Sequence, residues 1–259
     1  MDWIKIASFL GGVLAAMLIR YFGIAGAAWA IFYKWKRAKW APRKIQARWP
    51  KPTDIQREIL YSLLTSGIFA LVALTVFNPV VRPHTQLYSD PLQFGWGYLI
   101  LSFFATILIH DAYFYWMHRL LHTKRMFKVA HLIHHKSTNP TPFAALAFHP
   151  IEAVFEAAII YILAFAIPLH GIVLVAFLLF MFIYNVYGHL GWEIYSNRFR
   201  STWIGRWLNT STAHNAHHQF FKGNYGLYFL WWDKWMGTYE GEKSLPLQGL
   251  SGPPPKMKR

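Results

Sequence analysis

Long stretches without a formal charge restrict this chain's fold more than any other feature. Residues 59–77 (ILYSLLTSGIFALVALTVF) and 91–109 (PLQFGWGYLILSFFATILI) are each 19 residues free of Asp, Glu, Lys and Arg, close to the roughly 20 that a helix needs to cross a bilayer core. A third stretch, Ala157 to Gly188, is likewise free of formal charge and is interrupted by Pro168, His170 and Gly171. At about 1.5 Å per residue it is too long for one span and slightly short for two, so it reads as a tight helical hairpin. Residues 4–33 begin like a secretory leader but continue apolar without a small-residue cleavage site, and read as a retained anchor containing Arg20. The expected fold is all-α: an integral-membrane bundle of about four core spans plus an N-terminal anchor, with helices running on into a cytoplasmic cap. Residues 1–53 are assigned to the anchor and a basic segment, 54–240 to the membrane domain, and 241–259 to a disordered tail.

The formal charge of +15 would suggest nucleic acid in a soluble protein, but its placement gives a better account. Residues 34–51 hold eight Lys or Arg and no acid, 119–136 hold five, and 198 to the end hold nine, whereas 78–90 and the turn near 168–171 are nearly neutral. That alternation is the positive-inside pattern. It places the basic segments, and the histidines between 118 and 135 and between 189 and 218, in the cytoplasm; no nucleic-acid partner is expected. Thr53 with Gln56 reads as a capping box before one span, and Asp90-Pro91 as a cap and first turn before the next. There is no cysteine, which excludes disulfides, thiolate metal sites and a cysteine nucleophile.

Against this background the histidines form a pattern. AHLIHHKS carries His131, His134 and His135, and the same spacing returns 83 positions later in TAHNAHHQ as His214, His217 and His218. Residues three and four apart share a helix face, so each triplet can aim its imidazoles at one place. His118 and His122 form a third set at i and i+4 beyond the inner end of a span. Neutral imidazole suits iron, zinc, copper and nickel. Eight histidines exceed the four ligands that satisfy a structural zinc, so two metals are the natural count. His189, at the cytoplasmic end of the hairpin, is a ninth candidate; His84 and His170 in the outer loops read as bystanders and His110 as structural.

These residues resemble the fatty acid hydroxylase/sterol desaturase superfamily, membrane enzymes with an HxxxH, HxxHH, HxxHH signature. The similarity runs from about residue 54 to 240 and extends past histidine, through Asp111 to Tyr115, Trp116, His118, Arg119 and His122, through His149, Pro150 and Glu152, and through NYGLYFLWWDKWMGT at 224–238. The resemblance implies a non-haem di-iron centre that uses O2 to hydroxylate or desaturate a lipid C–H bond on a fatty acyl, sterol or isoprenoid substrate. A separate ferredoxin or cytochrome with its reductase would supply electrons, as no haem-binding domain is fused to either end. Carried over by position, His118, His122, His131, His134, His135, His214, His217 and His218 are ligands and His189 is additional. Some members place a further histidine where this chain has Asn185. Zinc is expected to substitute for iron in a purified sample.

Residues outside the ligand set are expected to orient the imidazoles. Asp111, seven residues before His118, and Glu193, one turn after His189, are the foremost candidates, followed by Asp233, Glu152, Glu156, Arg119, Asn209 and Asn215. Tyr113, Phe114, Trp116 and Phe143 are candidates to line a lipid path or to pack the core. A membrane metal transporter and a catalytically inactive lipid-binding relative are the competing readings. The predicted spans lack the acidic residues of an ion path, which weighs against transport.

Overall fold

The computed structural model describes residues 3–241; the tail expected to be disordered lies, apart from Gly241, outside them. Six helices organise the chain: α1 (Trp3–Trp29), which continues through a wider π-helical turn at Ala30–Trp35, α2 (Pro52–Val76), α3 (Gly95–Leu121), α4 (Pro150–Ala166), α5 (Gly171–Gly188) and α6 (Ser211–Phe220). Among the described residues α1 with its π extension, α2, α3 and α5 are long and apolar enough to cross a membrane. With 17 residues against 18 for α5, α4 forms the other arm of the expected hairpin, and lies at the lower end of spanning lengths.

The packing is that of a bilayer protein, apolar outside, with small and hydroxyl side chains set among the aromatic and aliphatic ones inside. Ile19, Leu60, Leu71, Ile100, Phe104 and Val175 are exposed, while Ser62, Thr65, Ser66, Ser102 and Thr106 are fully buried. Small residues let helix backbones approach closely, and lipid removes the penalty on an apolar exterior. Four of these five buried hydroxyls bond to backbone carbonyls within the bundle, among them Ser62 Oγ to Phe143 O at 2.9 Å and Thr106 Oγ1 to Ser102 O at 2.7 Å, whereas Thr65 Oγ1 is left without a partner. The N-terminal helix is part of this packing. Tyr21 and Ala25 are buried, Tyr21 donates to Phe143 O at 3.0 Å, and Arg20 donates to Leu178 O at 3.1 Å while lying over the Phe182 ring.

At one end of the bundle, the loop after α2 and the α4–α5 turn are clasped by a short parallel pair, β1 (Leu87–Tyr88) and β2 (Leu169–His170). His170 caps α5 there: Nδ1 accepts from Ile172 N at 3.1 Å and Nε2–H donates to Ser89 O at 2.9 Å. Both α3 and α5 start at this end and finish at the other, where the box histidines lie.

Two helix starts differ from expectation. α2 begins at Pro52, with Asp54 Oδ2 accepting from Lys51 N at 3.3 Å, so Thr53 and Gln56 do not form the box. α3 begins at Gly95; Asp90 Oδ1 accepts from Leu92 N at 2.9 Å and closes a separate turn, a conformation that Asp-Pro suits equally well.

The basic segment also does more than set topology. Lys44 bridges to Trp192, with Ile45 N donating to Gly191 O and Glu193 N to Arg43 O, both at 3.0 Å. Gln46 Nε2 donates to Asn215 Oδ1 at 2.7 Å and to Thr138 O at 2.8 Å, tying the segment to α6, which carries one histidine triplet, and to a strap, residues 137–148, that follows the other. The strap is held on its other side by fully buried Glu58, which accepts from Thr141 Oγ1 at 2.5 Å. Glu58→Leu, which leaves that hydroxyl buried without its acceptor, is expected to cost about 1–3 kcal/mol, measured as lowered thermal stability of the purified protein in detergent.

Candidate metal centre

Four pieces of chain deliver the histidines. The last turn of α3 carries His118, and His122 is its C-cap; His189 is the C-cap of α5. Residues 124–135 form a broken helix, Lys124–Met126, a π turn at Phe127–His131, then Leu132–His135. The π turn ends on His131 and so sets the direction in which that ring leaves the backbone. α6 carries the second triplet; its N-cap Thr210 accepts from Ala213 N at 3.0 Å, and Phe221 stops it in a left-handed conformation at φ 61°. Gly188 lets α5 approach α6 closely, since a Cβ there would stand 3.2 Å from the His214 ring.

All nine candidate histidines converge, as two groups: His118, His122, His131, His135 and His217 in one, His134, His189, His214 and His218 in the other. Ligand atoms within each group lie within 4.8 Å of one another. Each triplet is therefore divided, which corrects the expectation that it aims at a single point. At 100° per residue, i and i+4 are about 40° apart whereas sequence neighbours differ by 100°. His131 and His135 accordingly share one group while His134 turns to the other, and His214 and His218 pair while His217 turns away.

Hydrogen bonds fix which ring nitrogen faces inward. Nδ1–H of His118 donates to Tyr225 O at 2.8 Å, that of His189 to Asn185 O at 2.8 Å, that of His217 to Gly223 O at 2.7 Å and that of His218 to Ser137 O at 3.1 Å. His131 Nδ1–H donates to Glu152 Oε1 at 2.7 Å, both side chains being buried. A neutral imidazole that donates from Nδ1 presents a lone pair at Nε2. Yet Nε2 of His118 and His131 are 3.1 Å apart, and Nε2 of His189 and His218 are 3.0 Å apart. Two lone pairs at that distance repel unless a cation lies between them. Protonation does not supply it: burial lowers the His189 pKa to about 4 and, with repulsion from neighbouring imidazoles, holds His131 and His218 well below the usual histidine range. Ligands about 2.0–2.1 Å from one metal at tetrahedral or octahedral angles are themselves about 2.9–3.4 Å apart, which the spacing matches. Nε2 of His217 is buried without any hydrogen-bond partner. The donor set fits two metal ions, held by five and four imidazoles.

The expected orienting carboxylates lie elsewhere. Asp111 does not reach His118: its Oδ1 accepts from Tyr228 N at 2.9 Å and Phe229 N at 3.3 Å, and its Oδ2 from Trp231 Nε1 at 2.7 Å. Glu193 does not reach His189: it accepts from Tyr187 Oη and Tyr195 N at 2.9 Å and from Thr212 Oγ1 at 2.8 Å, anchoring the start of α6. The reason is common to both. Backbone carbonyls already orient these imidazoles, Tyr225 O for His118 and Asn185 O for His189; Asp111 holds the loop that supplies the first, and Glu193 holds the start of α6 instead. Like Asp111, Asp233 holds the Tyr225 loop, accepting from Tyr225 N and Gly226 N at 2.8 Å; Asn209 Nδ2 donates to Gly226 O at 2.6 Å. Gly226 has no room for a side chain, as a Cβ would meet Phe229 O at 2.4 Å. Glu152, a lesser candidate, is the carboxylate that meets a ligand. Asn185 directs its side chain to Ala145 O, and Arg119 donates to Tyr115 Oη.

Aromatic rings close the site. Phe114 lies against His118, Phe148 against His134, and Phe127 and Phe221 against His135, with centroids 5.0–5.4 Å away. Phe143 instead packs on Tyr21 and Trp29, and Trp116 is exposed beside Trp232. A hollow of about 340 Å³, lined by His122, Lys124, Phe127, Lys128 and Phe221, reaches the five-histidine group from the surface.

A mostly helical membrane bundle with nine convergent histidines at one end defines the class of protein. The model of the fatty acid hydroxylase family matches residues 103–238, a range that contains every ligand candidate. The chain belongs to the fatty acid hydroxylase family, in the superfamily that includes the sterol desaturases. It is 31% identical over 186 residues to the Delta(7)-sterol 5(6)-desaturase ERG3B of Gibberella zeae, covering 72% of this chain and 56% of that protein. It is 31% identical over 199 residues to the lathosterol oxidase of Rattus norvegicus, covering 76% and 64%, and 30% identical to that of Homo sapiens over the same span. The chain thus spans less than two thirds of these relatives' length. No solved structure matches it.

Glu152→Ala is expected to weaken metal binding about 10–100-fold, measured by competition with a chelator, whereas Asp111→Asn lowers thermal stability with a smaller effect on affinity. The metal-free protein should lose stability as pH falls from 6.5 toward 4. Over that window the unfolded histidines take up protons that folded His189, lowered to about 4, does not. Thermal melts across that range, with and without metal, test the sign; a metal-free protein equally stable at both ends would contradict it.

Proposed function

We propose that this protein is a membrane-bound, O2-dependent non-haem di-iron oxidoreductase that hydroxylates or desaturates a C–H bond of a lipid, whether fatty acyl, sterol or isoprenoid. The observation that carries this reading is the pairing of buried, neutral Nε2 lone pairs at 3.0–3.1 Å in two adjacent all-histidine groups. Relatives named as sterol desaturases and lathosterol oxidases support lipid oxidation as the reaction.

One iron would be held by His118, His122, His131, His135 and His217, and the other by His134, His189, His214 and His218. When bound, the pair supplies the O2 chemistry and the strong oxidant that an unactivated C–H bond demands, which no side-chain acid, base or nucleophile provides. The chain's own part is positional. Tyr225 O, Asn185 O, Gly223 O, Ser137 O and Glu152 lock the rings, so their Nε2 atoms need no reorganisation when metal binds. Burial of the ligands and the Phe114 and Phe148 rings restrict bulk water to the hollow beside His122, Phe127 and Phe221, which limits quenching of an oxidant. A lipid tail would reach the site from the bilayer.

Electrons would come from a separate ferredoxin or cytochrome with its reductase, approaching from the cytoplasm. The cytoplasmic placement rests on the basic segments at 34–51 and 119–136. Because the chain has no cysteine, single cysteines report topology cleanly. Val80→Cys and Trp203→Cys, both at exposed positions, should label with an impermeant maleimide from opposite faces, Trp203→Cys only after the cytoplasmic side is opened. Labelling of both from one face would refute the topology.

The reaction is tested by expressing the protein with iron and a competent electron donor and comparing cellular lipids by mass spectrometry with a His134→Ala strain. A lipid changed by one added oxygen, or by loss of two hydrogens, should appear only with the intact protein. Its absence from a two-iron preparation supplied with electrons would overturn the proposal.

A further inference from the structure

The aromatic rings packed against the nine histidines are phenylalanines with one exception. Phe114, Phe127, Phe148 and Phe221 fill that role, and among the ring contacts of the described residues only Tyr225 breaks the rule. Its centroid stands 4.9 Å from that of His122, 5.6 Å from His217 and 5.7 Å from His118, three histidines of the five-membered group.

From Tyr225, oxidisable rings continue without a gap to the surface. Tyr115, fully buried, is 6.4 Å from Tyr225 and stacks on Trp232 at 5.9 Å with 19° between the planes. Trp232 meets Trp235 at 5.6 Å, while Trp116 meets Tyr115 at 5.3 Å and Trp232 at 6.0 Å. Trp235 is 61% exposed and Trp116 47%. Phenylalanine packs the rest of the site; what tyrosine and tryptophan add is a ring that can give up an electron.

Tyr115 also has a place for its proton. Thr238 Oγ1 donates to Asp233 Oδ1 at 2.7 Å, so with its single hydrogen committed it accepts from Tyr115 Oη at 2.9 Å. Asp233 is fully buried, and burial raises its pKa, which favours uptake of a proton. A phenol yields its electron most readily when its proton leaves with it, and two hydrogen bonds in series are aligned to receive that proton.

We propose that Tyr225, Tyr115, Trp232 and Trp235, with Trp116 as a second exit, form a relay that carries oxidising equivalents from the five-histidine position to the protein surface. This rests on the O2-dependent oxidation proposed above. An oxidant able to attack an unactivated C–H bond attacks its own imidazole ligands when no lipid is present, and the relay spares them. Tyrosine and tryptophan surrender an electron only to a strong oxidant, so the chain answers to that oxidant and not to the low-potential electrons of a donor protein.

The electrons and protons balance. Tyr115 gives one electron through Tyr225 to the oxidised five-histidine position, and its phenolic proton passes to Thr238 Oγ1 as the Thr238 proton passes to Asp233. A neutral tyrosyl radical and a protonated Asp233 remain. One electron from Trp232 or Trp116 restores Tyr115, with the protons returning along the same two bonds. A water-soluble one-electron reductant, a thiol or ascorbate, then refills the surface indole and is itself oxidised.

The test uses the full-length, iron-loaded protein in detergent micelles, mixed with hydrogen peroxide in the absence of lipid substrate. Freeze-quenched samples should show a tyrosyl signal by electron paramagnetic resonance, narrowed when the protein carries ring-deuterated tyrosine. Peptide mass spectrometry should find oxidation at Trp116 and Trp235, and not at Trp203, which is 71% exposed but outside the chain. Tyr115→Phe, which keeps the ring, should lose most of the signal and the tryptophan oxidation, and should move oxidation onto the histidine peptides. Thr238→Val should lower the radical yield and Thr238→Ser should restore it; Tyr98→Phe, in the first turn of α3 at the opposite end of the bundle, should alter neither reading. Unchanged iron content in the variants separates loss of the relay from misfolding. Oxidation of Trp203 equal to that of Trp235, an undiminished signal in Tyr115→Phe, or wild-type oxidation confined to the histidine peptides would each overturn the relay while leaving lipid oxidation standing. Failure to bind iron, together with no lipid product in the cellular comparison, would instead remove the function on which it rests.

Discussion

The rest of the structure answers to the repulsion between imidazole lone pairs held face to face without water. Nine rings are packed at one end of the bundle, with Nε2 atoms as close as 3.0 Å and neighbours that keep them neutral. Such an arrangement is favourable only around cations, and holding it ready requires outside restraint. α3, α5, α6 and residues 124–135 contribute rings; the 137–148 strap, the closing loop and the basic segment contribute the hydrogen bonds that keep them in place.

Restraint is layered. Carbonyls of Tyr225, Asn185, Gly223 and Ser137 touch the rings, and Asp111, Asp233 and Asn209 hold the loop to which Tyr225 belongs. A carboxylate placed directly against every imidazole would import several negative charges into a dry interior. Using backbone dipoles at the rings and charges one layer out, where several N–H groups share each carboxylate, avoids much of that desolvation cost.

Much of this was readable in the residues. Uncharged runs gave the spans, and the Pro168–Gly171 interruption gave the hairpin, because lipid leaves a helix few alternatives. The nine histidines that converge were all singled out by spacing and by resemblance. The partition of each triplet was also present in the 100° step between neighbours, although shared helix faces drew attention away from it. Asp111 and Glu193 were misread because sequence separation reports a helix face and not which distant loop will fold over it. The orienting carbonyls of Ser137, Gly223 and Tyr225 carry no side-chain signature, since any residue has a carbonyl. Gln46 lies in a segment whose charge alone accounts for its composition, so nothing in the sequence marks the contacts it makes with Asn215 and Thr138.

The division of the triplets has a consequence for the centre as a machine. His134 and His135 are joined by one peptide bond yet belong to different groups, as are His217 and His218. The distance between the two groups is thus gauged by covalent backbone at two places, and two ions bound there would need no bridging carboxylate among the described residues to set their separation. A rigid shift of α6 moves histidines of both groups together. The two positions are therefore mechanically a single object, in which an ion at one could not be adjusted, lost or exchanged for one of another size without the change being felt at its twin.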